Sequence, residues 1–338
     1  MNKRLSVVMI LVIMLAALAM SGCGAAPKAT PAATTPTKAA ILLEGPLADT
    51  GWNTSSWDAM QALSKKYGWE VAYTDNVKTE DMEDLMRGYG QKGYSLVFGP
   101  GWLFGDPMVK VSKEFPKTRW VNLNLNTTAG DNFSSNGWVT GEMAYFVGRV
   151  AGAMTKSGKL AWIAGTESPL VAYDFDSYSK GAKEVNPNVT LNISYVGNWQ
   201  DPAKAKELAQ AQIEGGADII LSIAGSGDLG VFEAIEAAQK KGTNIQLIGW
   251  TGDDCQFEPK YTLVSVVQLP GFLLRIAGEE YQAGKLKSGH SVYGVKDDAQ
   301  HIAWCGKNVP DNIQQEIDKM LKDYIDGKMP DVPHRTDL

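Results

Sequence analysis

Two stretches of this chain carry the same pattern, with matched positions 123 residues apart. The first, YTDNVKTEDMEDLMRGYGQKGYSLVF from Tyr73, and the second, YVGNWQDPAKAKELAQAQIEGGADIIL from Tyr195, each run from a strand through a capped helix and a glycine into a buried strand. Leu85 stands where Leu208 does, and Gly93 where Gly216 does. Apolar residues at helical spacing mark the helices, and short apolar runs mark the strands. Strand and helix alternating in this way build parallel sheets covered by helices. The fold class expected is α/β, with two Rossmann-like lobes and a ligand cleft between them.

Open α/β sheets bind ligands at the carboxyl ends of their strands, so the junctions that follow strands hold the candidate site. Ile41, Leu42 and Leu43 form a strand, and the loop GPLADTGWNTSS follows. Thr54, Ser55 and Ser56 are expected to cap a helix whose buried stripe is Trp57, Met60, Leu63 and Tyr67. This loop and helix start supply Asp49, Trp52, Asn53 and Trp57. Later junctions supply Trp102, Asn124, Glu167, Trp199, Trp250 and Thr251, then Gln268. Trp69, Trp120 and Trp162, in or beside strands, are expected in the core. The tryptophans at junctions can stack a flat base, worth roughly 1–3 kcal/mol each. Asp49, Asn53, Asn124 and Thr251 can read its edges, whereas Asp201, followed by Pro202, reads as a helix cap. The same rings can hold a quaternary ammonium by cation–π attraction, with Asp49 or Glu167 as counter-charge.

The N-terminus is the most specific local signal. Lys3 and Arg4 precede an uncharged, mostly apolar run from Val7 to Met20, too short to span a bilayer and suited to a signal peptide. Met20-Ser21-Gly22-Cys23 resembles a bacterial lipobox, so residues 1–22 read as a lipoprotein signal and Cys23 as the acylated residue. Residues 23–39, rich in Ala, Thr, Pro and Lys, read as a tether. The expected N-terminal lobe is 40–157 plus about 269–304, and the C-terminal lobe 158–268 plus about 305–338. The crossings are expected near Gly158, Gln268 and Cys305.

Removing the signal leaves 30 basic against 38 acidic residues, a net charge near −8. Such a surface argues against nucleic acid. Beyond Cys23 only Cys255 and Cys305 remain; outside the cytoplasm they can pair, and two buried free thiols fit the sequence equally well. His290, His301 and His334 lack ligand spacing, so no metal is expected. Gly225-Ser226-Gly227-Asp228-Leu229-Gly230, with Asp253 downstream, fits the dinucleotide fingerprint literally. It follows the third strand of its lobe rather than the first, which favours a binding loop or a packing role. No nucleophile is paired with a histidine base, so no enzymatic activity, catalytic residue or cofactor is expected.

Several segments together resemble the basic membrane protein (BMP) family, ABC-transporter solute-binding lipoproteins that include purine-nucleoside receptors. They are LADTGWNTSSWDA, EFPKTRWV, GRVAGAMTKSGKLAWIAG, YSKGAKEVNPNV, NWQDPAKAKELA and GADIILSIAG. The resemblance covers most of the chain from Ala40. It implies a type I periplasmic-binding-protein fold, a purine base or nucleoside-like ligand, ABC permease and ATPase partners, a lipid anchor on the outer face of the cell membrane, and a monomer. A ligand sensor for a membrane receptor would use the same fold. Where the family strand after EFP ends in an acid, this chain has Asn124. Thr251 stands at the family's ribose-binding acid and Gln268 at a common lysine. These departures imply a free base bound at least as tightly as its nucleoside.

Overall fold

The computed structural model describes residues 36–49 and 51–338. The expected signal peptide, Cys23 and most of the expected tether lie outside the described residues. From Thr37 onward the chain forms one unit. Within it are two sheets of six strands.

The first sheet is built from β1 (Lys38–Leu42), β2 (Glu70–Thr74), β3 (Leu96–Pro100), β4 (Arg119–Leu123) and β5 (Phe133–Trp138), with a later strand at the edge. Helices α1 (Trp52–Tyr67), α2 (Met82–Gln91) and α3 (Gly105–Ser112) connect them. The chain then enters α4 (Glu142–Met154). The second sheet follows as β6 (Lys159–Ala164), α5 (Pro169–Val185), β7 (Thr190–Tyr195), α6 (Pro202–Glu214), β8 (Ile219–Ile223), α7 (Asp228–Lys240), β9 (Gln246–Thr251) and β10 (Thr262–Val267). Last come α8 (Pro270–Gln282), β11 (Gly289–Tyr293), β12 (His301–Trp304) and α9 (Asp311–Ile325).

The strand orders are β11-β5-β4-β3-β1-β2 and β12-β10-β9-β8-β6-β7. Each sheet therefore repeats the other, as the sequence echo predicts. All pairings are parallel except β10 with β12. Strands covered on both faces are nearly continuous apolar runs: β3, LVFGP, is buried at every position. Each sheet has a core on either face, centred on Phe98 and Trp120 in the first lobe and on Trp162 and Ile220 in the second. Trp69, Trp120 and Trp162 are all buried there.

Two expected boundaries are corrected. The first crossing lies at residues 139–141, not near Gly158, because α4 is apolar around most of its circumference and packs on the second lobe. Its Gly148 and Gly152 meet the backbone of α5, and Gly181 of α5 meets Tyr145; a Cβ at any of the three would fall within 2.4 Å of a carbonyl oxygen. The third crossing lies between β11 and β12, not near Cys305, because β12 pairs with β10. The second crossing lies at Gln268, between β10 and α8. Cys255 and Cys305 are joined in a disulfide, 50 residues apart in sequence, and both lie in the second lobe.

Candidate functional site

In each sheet the strand order reverses between the lobe's first and third strands, leaving a crevice at their carboxyl ends. The two crevices share one cleft, open at its mouth and lined by residues of both lobes, the concave setting in which small organic molecules bind. Of the residues expected at the site, Asp49, Trp52, Asn53, Trp102, Asn124, Trp199, Gly225, Trp250, Thr251 and Gln268 line it.

Three do not. Trp57 packs into the first lobe's core and on Tyr73, with ring centroids 4.9 Å apart, because the helix begins at Trp52 rather than after Ser56 and this turns position 57 away. Glu167 is exposed. Asp253 is taken up by its own turn, accepting from Cys255 N at 3.1 Å and Gln256 Nε2 at 2.9 Å.

Asp49, not the Thr-Ser-Ser run, caps α1. Its carboxylate accepts from the backbone N–H groups of Gly51 (3.0 Å), Asn53 (2.8 Å) and Thr54 (3.0 Å), the groups a helix N-terminus leaves unpaired. This fixes Trp52 and Asn53 at the cleft wall. Trp52 Nε1 donates to Pro100 O at 3.0 Å. Asp201 is a helix cap, as expected, accepting from Lys204 N at 2.9 Å.

Trp199 explains the glycine pattern of the second lobe. Its ring lies so close to Gly165 that a Cβ there would stand 2.2 Å from a ring carbon. Gly225, at φ +63°, brings its loop against the Trp199 backbone, and Ser226 N donates to Trp199 O at 2.9 Å. Gly230 meets the Pro202 carbonyl of α6. The fingerprint-like run is therefore a packing device that seats one indole.

Trp250 is buried against Trp162, centroids 5.9 Å apart. Its Nε1 donates to Gln268 Oε1 at 3.1 Å, and Gln268 Nε2 donates to Gln300 Oε1 at 2.8 Å. Gln300 in turn bonds Val139 O at 3.0 Å and Glu142, and Glu142 also accepts from Val295 N and Tyr324 OH. A chain of amides thus runs from a cleft indole through all three crossings.

Sequence reasoning missed Trp138, Glu44, Asp174 and Gln200, which also line the cleft. Trp138 ends a strand and could have been found by the rule that found its neighbours. Asp174 lies within a helix, where an acid reads as solvent face. Its Oδ1 accepts from Gly141 N at 2.7 Å, in the first crossing. Burial pushes its carboxyl up to about 7, with the neighbouring Glu142 charge adding to the rise. Burial alone pushes Glu44 up to about 7. Asp228, buried beneath the cleft floor, is pushed up by burial to about 6 against the hydrogen bonds from Ser222 and Ala224 that lower it. Gln200, in the second lobe, donates through Nε2 to the Glu44 carbonyl of the first at 3.0 Å.

Among the described residues the cleft is lined by four acids, Glu44, Asp49, Asp174 and Asp228, and by no Lys, Arg or His. It carries five tryptophans: Trp52, Trp102, Trp138, Trp199 and Trp250. Buried polar atoms without protein partners include Asn53 Oδ1, Trp102 Nε1 and Trp138 Nε1. Such atoms are costly unless a ligand or water satisfies them. No group of three or more His, Cys, Asp or Glu side chains among the described residues is placed to hold a metal ion. No described helix is long and apolar enough to cross a membrane.

A family model described as "ABC transporter substrate-binding protein PnrA-like" matches residues 36–332. Transcriptional activator protein med of Bacillus subtilis is 28% identical over 91% of this chain and 93% of its own length. The ABC transporter nucleoside-binding protein BmpA of Lactococcus lactis is 27% identical over 86% and 88%. A purine-binding protein of Brucella abortus is 29% identical over 82% and 78%. Among solved structures, a solute-binding protein of an ABC transporter system from Aeropyrum pernix superposes with a TM-score of 0.79 at 18% identity, covering 87% of this chain and 92% of that one; the likeness establishes the fold as that of the type I periplasmic binding proteins.

Proposed function

The chain belongs to the Bmp family of PnrA-like ABC transporter substrate-binding proteins, and from that premise we propose that it captures a purine base or nucleoside-like solute between its lobes and delivers it to a permease. The observation that carries this reading is the cleft itself. Five indoles converge at the two strand-reversal points, with Asn53 Oδ1 and two indole N–H groups left for a ligand's edge. A flat heterocycle satisfies both the faces and the orphaned atoms. The nucleoside-binding and purine-binding relatives lend support. Closure is a hinge motion biased by contacts to both lobes, and no bond is broken.

The free base is expected to bind at least as tightly as its nucleoside. Thr251 offers a hydroxyl where a carboxylate would grip a ribose diol, and Gln268 is taken up by Trp250. A second reading is a quaternary ammonium solute, favoured by the lining of acids and indoles without a cation. Titration calorimetry with adenine, guanine, hypoxanthine, their nucleosides, choline and betaine separates these. Nucleosides preferred tenfold would mean that another acid, Asp174 foremost, holds the ribose. Heat with choline or betaine alone would select the second reading, and no heat with any purine would sink the first. Mass spectrometry of solute extracted from unwashed protein gives an independent identification.

Anchoring through Cys23 belongs to the same proposal, with the protein facing outward on the cell membrane. Cys23→Ser should then release the protein from the membrane fraction or leave it unprocessed. A variant that still partitions like an acylated protein would overturn the lipid anchor.

A further inference from the structure

We propose that Glu44 reads the amino edge of the bound heterocycle, so that the cleft selects amino-bearing bases over their oxo or unsubstituted counterparts. The inference rests on the purine reading above and deepens it.

Four carboxyl groups line the cleft, and three have protein partners. Asp49 holds the N-terminus of α1, Asp174 holds Gly141, and Asp228 holds Ser222 and Ala224. No hydrogen bond from a described residue reaches the carboxyl of Glu44. Yet Glu44 is not a loose surface side chain. It lies two residues beyond the end of the first strand of its lobe, where the strand order reverses. Its Oε1 lies so close to Gly101 that a Cβ there would stand 2.3 Å away. Its main chain is held from across the cleft by Gln200. A half-buried carboxyl placed this firmly at the cleft wall, with no protein partner and no cation lining the site, is left free to take its partner from the ligand.

A second acceptor points the same way. Asn53 is 5% exposed and its Oδ1 has no partner. Ligand oxo groups can be met by the free N–H groups of Trp102 and Trp138, but Glu44 and Asn53 Oδ1 demand N–H donors. A carboxylate accepts two parallel N–H bonds in one plane. The ring N–H and adjacent amino group of guanine present that pattern; hypoxanthine, lacking only the amino group, presents half of it.

The test is calorimetric titration of the full protein with guanine against hypoxanthine, and adenine against purine, for the native chain and for Glu44→Gln and Glu44→Asp. Charge-assisted hydrogen bonds predict guanine ahead of hypoxanthine by about ten- to hundredfold, and adenine ahead of purine. In Glu44→Gln the guanine advantage should fall to a few-fold, with hypoxanthine losing less affinity than guanine. Glu44→Asp, which keeps the charge but withdraws it by one methylene, should fall between. The native ratio needs no variant, so a misfolded substitution does not blunt the test. Equal affinities in the native chain, or an advantage that survives Glu44→Gln, would overturn the role of Glu44 and leave the purine reading standing. Failure of every purine to bind would overturn that reading, and this one with it.

Discussion

Asn124 and Thr251 occupy the same place in the two lobes and share a backbone conformation that L-residues rarely adopt. Asn124 follows β4 and Thr251 ends β9, and their φ angles are +70° and +81°. Arg119 pairs with Leu96 as Gln246 pairs with Ile219, which puts the two in register. Both line the cleft. Asn tolerates left-handed backbone, but a β-branched residue there is strained by about 1–3 kcal/mol. Strain of this kind concentrates where a binding site fixes the backbone.

Thr251→Asn should therefore stabilise the ligand-free protein by about 1 kcal/mol, since it relieves strain at a position whose partner lobe already uses asparagine. Urea unfolding measures this. A variant less stable than the native chain would show that the Thr251 side chain contributes more than its backbone costs.

The seat of Trp199 makes a paired prediction. Trp199→Ala should weaken ligand binding by roughly 1–3 kcal/mol, the value of one stacked base. Gly165→Ala should weaken it similarly, because the new methyl would stand 2.2 Å from the ring and push it out of place. Circular dichroism should show both variants folded. Native affinity in both would remove Trp199 from the binding surface.

The buried acids set an unusual pH dependence. Glu44 and Asp174 are held near 7 and Asp228 near 6 in the fold, against about 4 for unfolded carboxyls. Each binds its proton more tightly folded than unfolded. Their stabilisation is full below about pH 4 and is lost as pH rises through 6 to 7. Exposed acids held low, such as Asp326 at about 2, act only in the acid range below that window. The ligand-free protein should melt several degrees higher at about pH 5 than at pH 8, and Asp174→Asn should shrink the difference. A melting temperature that is flat or rising with pH would show these carboxyls ionised in the fold.

The disulfide makes the fourth prediction. Closing a loop of this length restricts the unfolded chain by about 4 kcal/mol in the chain-entropy model. Reduction should lower the unfolding free energy by a comparable amount, read as a lower melting temperature. Ligand affinity should change little, because neither Cys255 nor Cys305 lines the cleft. Free thiols at both positions in native, unreduced protein would dispose of this.

The doubled lobe, the strand-end location of the site and four of its five indoles were legible in the sequence, because strand and helix periods and junction residues are local signals. The first crossing was not. α4 carries apolar residues on nearly every side, so its pattern does not say which sheet it covers; the glycines that press it against α5 settle that. Glu44 and Asp174 escaped for a related reason. An acid after a strand or within a helix reads as solvated, and only the opposite wall shows that these two are half-buried at a cleft. Asp49 drew attention for its charge, yet that charge is turned inward to hold a helix end.

The contact between Gln200 and Glu44 is made to a carbonyl oxygen, not to the carboxyl. One residue thus divides its labour: the main chain meets the opposite lobe, and the side chain lines the cleft. Any amino acid at position 44 keeps the carbonyl. A lineage, or an engineer, can exchange the side chain and change what the cleft offers a ligand without redesigning the contact between the lobes.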